Sequence, residues 1–280
     1  MAVQNIDNVL QTIALKAYVS KEAVTKLNVF AHNYTQDFAE KHDTVHVPIV
    51  AAGEAKDLGE AADGKYTSDG KLSTAAIHLD HHVYSSMDIS NETFKKFAPQ
   101  VHADTANAQA MKVARKMMNL IAAGVDKDCA SQTQTAPTTF AALKALKKTV
   151  SKYSRPILVL NAADYDTLVT DQDLMNIAAL SGKDLLATGT IYDLCGFRVV
   201  RADISTPGFV CDDGTIGFAS ALTATDSNAS QPIVDEASGC TMLVKYIDNG
   251  NPPTVTALTE VLFGYQLVNK ERIVGFKQGG

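Results

Sequence analysis

Apolar side chains at Ala103, Ala106, Ala110, Val113, Met117 and Leu120 recur at intervals of three and four residues. That spacing places them on one stripe of a helix and makes this the strongest periodic segment of the chain. Pro99 suits a first helical turn and Gly124 suits a C-terminal stop, so a helix from Gln100 to Ala123 is expected. At about 1.5 Å per residue it is about 36 Å long, a spine for whatever packs on it. A short turn capped by Ser90 or Asn91 precedes it, extending the helical region to 91–124. Earlier, Ile6, Leu10, Ile13 and Ala17 keep near-helical spacing, and Ser20 is placed to cap a second short helix ending near Phe30.

Two segments alternate with period two instead. In 43–50, Val45 and Val47 share one face and Thr44 and His46 the other, while Pro48 marks an edge strand or a strand end. In 73–85, Ala75, Ile77 and Leu79 oppose Ala76, His78 and Asp80. Downstream, Phe140, Leu143, Leu146 and Val150 predict a helix that turns Lys144, Lys147 and Lys148 outward, after a Thr/Gln-rich linker at 131–139. The continuous apolar run 156–160 predicts a buried strand. Helices are expected at 162–169 and 172–181, and strands at 189–192, 196–201, 216–222, 241–247, 254–258 and 261–268. The fold class is α+β, without internal repeats.

Between the two alternating segments, residues 51–73 change character. Gly53, Gly59, Gly64 and Gly70 punctuate a polar stretch in which Glu54, Asp57, Glu60, Asp63 and Asp69 outnumber Lys56, Lys65 and Lys71. Leu58, Tyr66 and Leu72 are its only large apolar side chains, too few to form a core. An excursion of this length is functional, disordered, or ordered by a neighbour.

Catalytic motifs are weak. Residues 59–66 approach a phosphate-binding loop, but Tyr66 stands where Ser or Thr would reach magnesium, and Glu60 and Asp63 repel phosphate. On one strand His78, Asp80 and His82 would share a face, as a two-histidine, one-carboxylate metal set does; the plainer reading is a polar strand face. The lysine trio reads as a solvated helix face ahead of a nucleic-acid contact. No catalytic residue, cofactor or metal site is assigned.

Composition narrows the classes further. In 280 residues, 46% hydrophobic and 20% charged side chains exclude a disordered chain. A formal charge of −6 argues against a partner gripped through an overall basic surface. The absence of Trp and 7% aromatics leave little for a base- or sugar-stacking site. The first basic residue is Lys16 and no apolar block follows, so no secretory signal and no membrane span are expected. Cys129, Cys195, Cys211 and Cys240 form no C-x-x-C pair, and reduced thiols in a protein made in a cytosol are expected.

The order of these segments resembles the major capsid proteins of tailed bacteriophages, with the Hong Kong 97-type shell fold. The resemblance runs through Leu27-Asn-Val-Phe, residues 43–48, the polar hairpin, residues 75–80, Met87-Asp-Ile-Ser-Asn-Glu92 and the long helix. It continues in residues 188–200, similar to that family's G-x-I-x-x-x-x-G-F-x-V strand pair, and in its closing strand at 263–274. Where the family often has Gly before Asp-Thr-Val, this chain has His42.

The resemblance implies an N-terminal arm (1–35) and an extended loop (48–80) lying on a neighbouring subunit. It implies a peripheral domain (36–47, 81–137 and 231–280) containing the spine helix (91–124), and an axial domain (138–230). Candidate intersubunit contacts are Glu54, Lys56, Asp57, Glu60, Asp63, Lys65, Tyr66, Asp69 and Lys71. Implied partners are other copies of the chain in pentamers and hexamers, scaffolding and portal proteins, and packaged DNA touched non-specifically, with no membrane. No scaffolding extension is visible, which implies a separate scaffold or a cleaved form. The implied location is the virion, assembled in the host cytoplasm. The alternatives are an encapsulin-type cargo shell and, from another class, a metal-dependent enzyme using His78, Asp80 and His82.

Overall fold

The computed structural model describes residues 24–35, 44–51, 70–90, 92, 99–129, 134–180, 193–221, 230–234, 241–248 and 254–277. Helix α1 (Val24–Phe30) and strand β1 (His32–Asn33) lead into a two-stranded ribbon of β2 (Thr44–Ala51) and β3 (Lys71–His78). Strand β4 (His81–Ser90), the long helix α2 (Pro99–Asp128), β5 (Gln134–Thr135), helix α3 (Phe140–Thr149) and β6 (Pro156–Asn161) follow. Helices α4 (Ala162–Val169) and α5 (Gln172–Leu180) precede β7 (Asp193–Leu194), β8 (Phe197–Ala202), β9 (Gly208–Asp212) and β10 (Ile216–Ala221). The chain continues through β11 (Ser230–Val234), β12 (Thr241–Asp248) and β13 (Thr254–Leu267). A 3-10 turn (Lys270–Arg272) then leads to β14 (Ile273–Lys277).

Two six-stranded sheets result. The first runs β1-β10-β13-β12-β11, with β4 hydrogen-bonded to the other edge of β13. The second runs β5-β14-β9-β6-β8-β7. The run 156–160 is continuously apolar because its strand is covered on both faces. Ile157 and Val159 pack into a core shared with α1, α2 and the first sheet, while Leu158 and Leu160 meet Phe140, Leu143, Leu146 and Val150 of α3. The same division sends Phe209 and Cys211 one way and Val210 the other.

Helix α2 joins the two sheets. Ala110, Val113 and Met117 are buried as their spacing predicts, and Ala114, Met118, Ile121, Ala122 and Val125 widen the stripe. Ala103, Ala106 and the capping turn before Pro99 lie outside the described side chains. Gln109, buried on this helix, donates from Nε2 to the Ala257 carbonyl (2.8 Å) and accepts from the Thr259 hydroxyl (3.0 Å), tying α2 to β13.

Gly124 does not stop the helix, which runs one more turn to Asp128. A Cβ at position 124 would overlap the Tyr265 ring, so this glycine makes room for an aromatic side chain. Residues 254–258 and 261–268 are also not separate strands: β13 is a single strand of 14 residues. Strands at 32–33, 193–194, 208–212, 230–234 and 273–277 have no counterpart in the sequence pattern, and the expected linker at 131–139 contains β5. Residues 189–192 and most of the first predicted helix lie outside the described residues. The sheets do not divide at residues 137 and 230: β10 belongs to the first, and β5 and β14 to the second.

One buried carboxylate ties three loops of the second sheet. Asp212 accepts from the backbone N–H groups of Arg155 (2.8 Å), Ser154 (3.1 Å) and Asp213 (3.1 Å), and from the Arg272 guanidinium (2.7 Å). Burial alone would raise its pKa, but these donors outweigh it and hold the carboxyl below the usual aspartate value. The folded-state pKa is depressed, so this contribution is present above the ordinary aspartate range and is lost as pH falls through it. Asp212→Asn is expected to cost about 1.5–3 kcal/mol at neutral pH and to flatten the acid limb of stability, measured by urea unfolding across pH.

The ribbon meets the first sheet at a similarly tight point. A Cβ on Gly264 of β13 would overlap the His78 carbonyl oxygen and press on Leu79 Cα, both backbone atoms with little freedom to yield. Gly264→Ala is expected to destabilise by about 1–3 kcal/mol in denaturant unfolding. Wild-type stability in that variant would mean that the ribbon is not seated there.

Candidate assembly interface

The ribbon is an arm fixed at one end. Its register runs from Thr44 opposite His78 at the root to Ala51 opposite Lys71, about 23 Å away at about 3.3 Å per residue. At the root, Val45, Val47, Ile77 and Leu79 are buried together with Ala219, against Tyr34, Leu262 and Val268. The faces are those predicted from alternation, and Thr44 Oγ1 lies 3.0 Å from His78 Nδ1. Toward the other end Lys71, Leu72, Ser73 and Thr74 are all exposed, with Leu72 at 74%. Pro48, opposite Thr74, sits where a two-stranded ribbon tolerates a missing N–H.

Lys71 is the one expected contact residue within the described chain, and it stands exposed at the start of β3. Glu54, Lys56, Asp57, Glu60, Asp63, Lys65, Tyr66 and Asp69 lie outside the described residues, as does the 59–66 phosphate-loop near-match.

A second surface lies on the face of the first sheet that the ribbon leaves open. The register brings His82, Tyr84 and Asp88 of β4, Thr256, Leu258 and Glu260 of β13, and Lys245 and Ile247 of β12 onto it. Tyr84 is 64% and Ile247 45% exposed. Between them Glu260 is buried, with Lys245 Nζ 2.5 Å from Oε1 and His82 Nε2 2.8 Å from Oε2. A carboxylate that deep is held by its two partners, whose side chains lie across it. At the edge of the face the Thr256 hydroxyl donates to Asp88 (2.5 Å).

The proposed metal set does not assemble on one strand. The chain changes sheets between His78 and His81, so His78 is engaged by Thr44 in the ribbon and His82 by Glu260 in the first sheet. Asp80, in the corner, lies 3.5 Å from His81 instead. Among the described residues, no three His, Cys, Asp or Glu side chains are grouped to hold a metal ion. Cys211 is fully buried, which pushes its thiol up to about 12, and Cys129 and Cys195 are half-buried; Cys240 lies outside the described residues. Among the described residues, no helix is long and apolar enough to cross a membrane.

Sequence reasoning missed Tyr84, Lys245, Ile247 and Glu260. A signal for two of them was present: Glu260 interrupts an apolar strand run, and Lys245 sits alone between Val244 and Tyr246. Opposite lone charges on two strands are candidates for a cross-strand pair.

No protein-family model matches the chain, and no curated protein matches it in sequence. Solved structures do. A chain from Mycobacterium phage Che8 is 19% identical, with 90% of each chain covered and a TM-score of 0.62. A capsid structure of the cyanophage P-SCSP1u is 12% identical over 89% of this chain and 86% of the other, with a TM-score of 0.55. The capsid of a native GTA particle is 16% identical over 92% and 91%, with a TM-score of 0.56. With this coverage of both partners, the chain has the fold of these phage and capsid chains, in keeping with the α+β shell architecture that the order of its sequence segments resembles.

Proposed function

We propose that this chain is the major capsid subunit of a tailed phage, assembling as pentamers and hexamers into an icosahedral head shell around double-stranded DNA. The observation that carries this reading is the ribbon: its root is packed on its own sheet, and its outer half, with Leu72, finds no surface to lie on among the described residues. An arm of this kind is completed by a neighbour, and the likeness to capsid chains over about nine-tenths of this one supports another copy as that neighbour. Interfaces of this obligate kind bury roughly 2,000 Å² or more.

In this reading residues 1–35 are the N-terminal arm, whose last part, α1 and β1, packs on the subunit's own core and first sheet, and residues 48–80 are the extended loop. The peripheral domain is the first sheet with α2, and the axial domain is the second sheet with α3, α4 and α5. Strands β10, β5 and β14 follow their sheets and not the sequence divisions at 137 and 230. Glu54, Lys56, Asp57, Glu60, Asp63, Lys65, Tyr66, Asp69 and Lys71 contribute contacts between copies. The role is structural and not catalytic, the partners include scaffolding and portal proteins, and the acidic wall touches packaged DNA without gripping it. The subunit is a virion component assembled in the host cytoplasm.

Deleting residues 53–70 is expected to leave a subunit that unfolds cooperatively near the wild-type midpoint but forms no stable shells. Co-expression with the scaffold and negative-stain electron microscopy read this out. Normal shells from the deletion would refute the loop's role, and small monomers from the wild type under every condition would refute the shell reading.

A further inference from the structure

Charge is segregated across the helices that cover the second sheet. From 129 to 163 there is no Asp or Glu, while Lys144, Lys147, Lys148, Lys152 and Arg155 fall in that stretch. From 156 to 182 there is no Lys or Arg, while Asp164, Asp166, Asp171 and Asp173 fall there. A basic block is followed directly by an acidic one.

The fold keeps the blocks on separate elements. Helix α3 buries Phe140, Leu143 and Leu146, which turns Lys144 and Lys148 to solvent, and Lys152 is exposed just beyond the helix. Lys144 Nζ lies 4.2 Å over the Phe140 ring, and Lys147 donates to the Gly196 carbonyl (3.4 Å) beside the Phe197 ring. None of these four lysines reaches a carboxylate among the described residues. On α4 and its link to α5, Asp166 meets Arg201 (3.2 Å), and Asp171 caps α5 by accepting from the Asp173 and Leu174 N–H groups (3.1 Å each). Asp164 and Asp173 meet no cation among the described residues.

We infer that α3 of one copy docks on the α4–α5 face of the next copy, its Lys144, Lys148 and Lys152 facing Asp164 and Asp173. The inference rests on the shell reading and names the contact that orders its rings. A patch and its complement on different elements of one chain produce a head-to-tail contact, which closes into a ring when the rotation allows. Complementary charges set the register of such a contact and speed its formation, and salt screens them. A second copy is favoured over a nucleic acid because the chain carries the counter-surface itself, and because its net charge of −6 opposes a polyanion.

Charge reversal in the full chain tests this, with circular dichroism and thermal unfolding to confirm folding, and sedimentation velocity with negative-stain microscopy to measure assembly. K144E/K148E/K152E and D164K/D173K are each expected to lower the assembled fraction about tenfold at low salt, and the combined reversal to restore most of it. Wild-type assembly is expected to weaken as salt rises. Where the combined variant does not fold, K144Q/K148Q/K152Q replaces it, with a partial loss expected. Wild-type assembly by either single-patch reversal, or by the glutamine variant, overturns the inference while leaving the shell reading intact. So does a combined variant that folds and stays unassembled. A lysine variant that assembles normally but no longer retains duplex DNA in a mobility-shift assay also overturns it, making α3 a nucleic-acid surface. Failure of the wild type itself to assemble removes the shell reading and this contact together.

Discussion

Strand β13 is hydrogen-bonded along both edges, by β4 on one side and by β12 and then β10 on the other. Paired on both edges over most of its length, it places the rest of the first sheet through its two faces. On one face Val261, Phe263 and Leu267 enter the core shared with α2 and the second sheet. On the other Leu262 packs under the root of the ribbon, and Gly264 lets the corner at His78 and Leu79 approach backbone to backbone. A side chain at 264 would lift the ribbon from the sheet. The seating of the arm thus depends on one missing methyl group, and the direction of the arm depends on the sheet beneath it.

This arrangement divides the molecule into what it stabilises by itself and what it leaves unfinished. Four apolar side chains bury the ribbon's root, but the outer half offers Leu72 to solvent, and ordering an exposed strand pair costs conformational entropy that no local burial offsets. The open face bearing Tyr84 and Ile247 is a further apolar surface without a cover among the described residues. Its buried Glu260 adds rigidity there, because a carboxylate paired with Lys245 and hydrogen-bonded to His82 ties three strands across the face. Both features suit a subunit whose last stabilising contacts come from other copies.

Periodicity made α2, α3, β2, β3 and β6 legible, because each has a face or a full surrounding of apolar partners that the sequence must repeat. It failed where a residue's meaning is set by a distant one. Gly124 reads as a helix stop, yet it is required by Tyr265, far along the chain. Glu260 reads as a break between two strands, yet it is mid-strand because Lys245 pairs with it and His82 hydrogen-bonds to it. The alternation through 73–85 is genuine, but it conceals a change of sheets at Leu79 and Asp80 that periodicity cannot record. β9 and β14 are short and covered on both faces, so they carry no alternation to detect. Of the candidate interface, composition alone marked the polar excursion; the open sheet face needed the register of three strands.

The proposed ring contact bears on a difficulty that the apolar arm leaves unsolved. Each copy carries a net charge of −6, so copies brought together repel one another, and the repulsion grows with every subunit added. An arm that docks by burying Leu72 works against that field without reducing it. A contact that sets the lysines of α3 against the aspartates of α4 and α5 lowers the repulsion where neighbours approach most closely. The two contacts then have separate roles: apolar burial supplies affinity without direction, and paired charges fix which edge of one copy meets which edge of the next. If the chain assembles as proposed, an acidic subunit that packs against its own copies needs both.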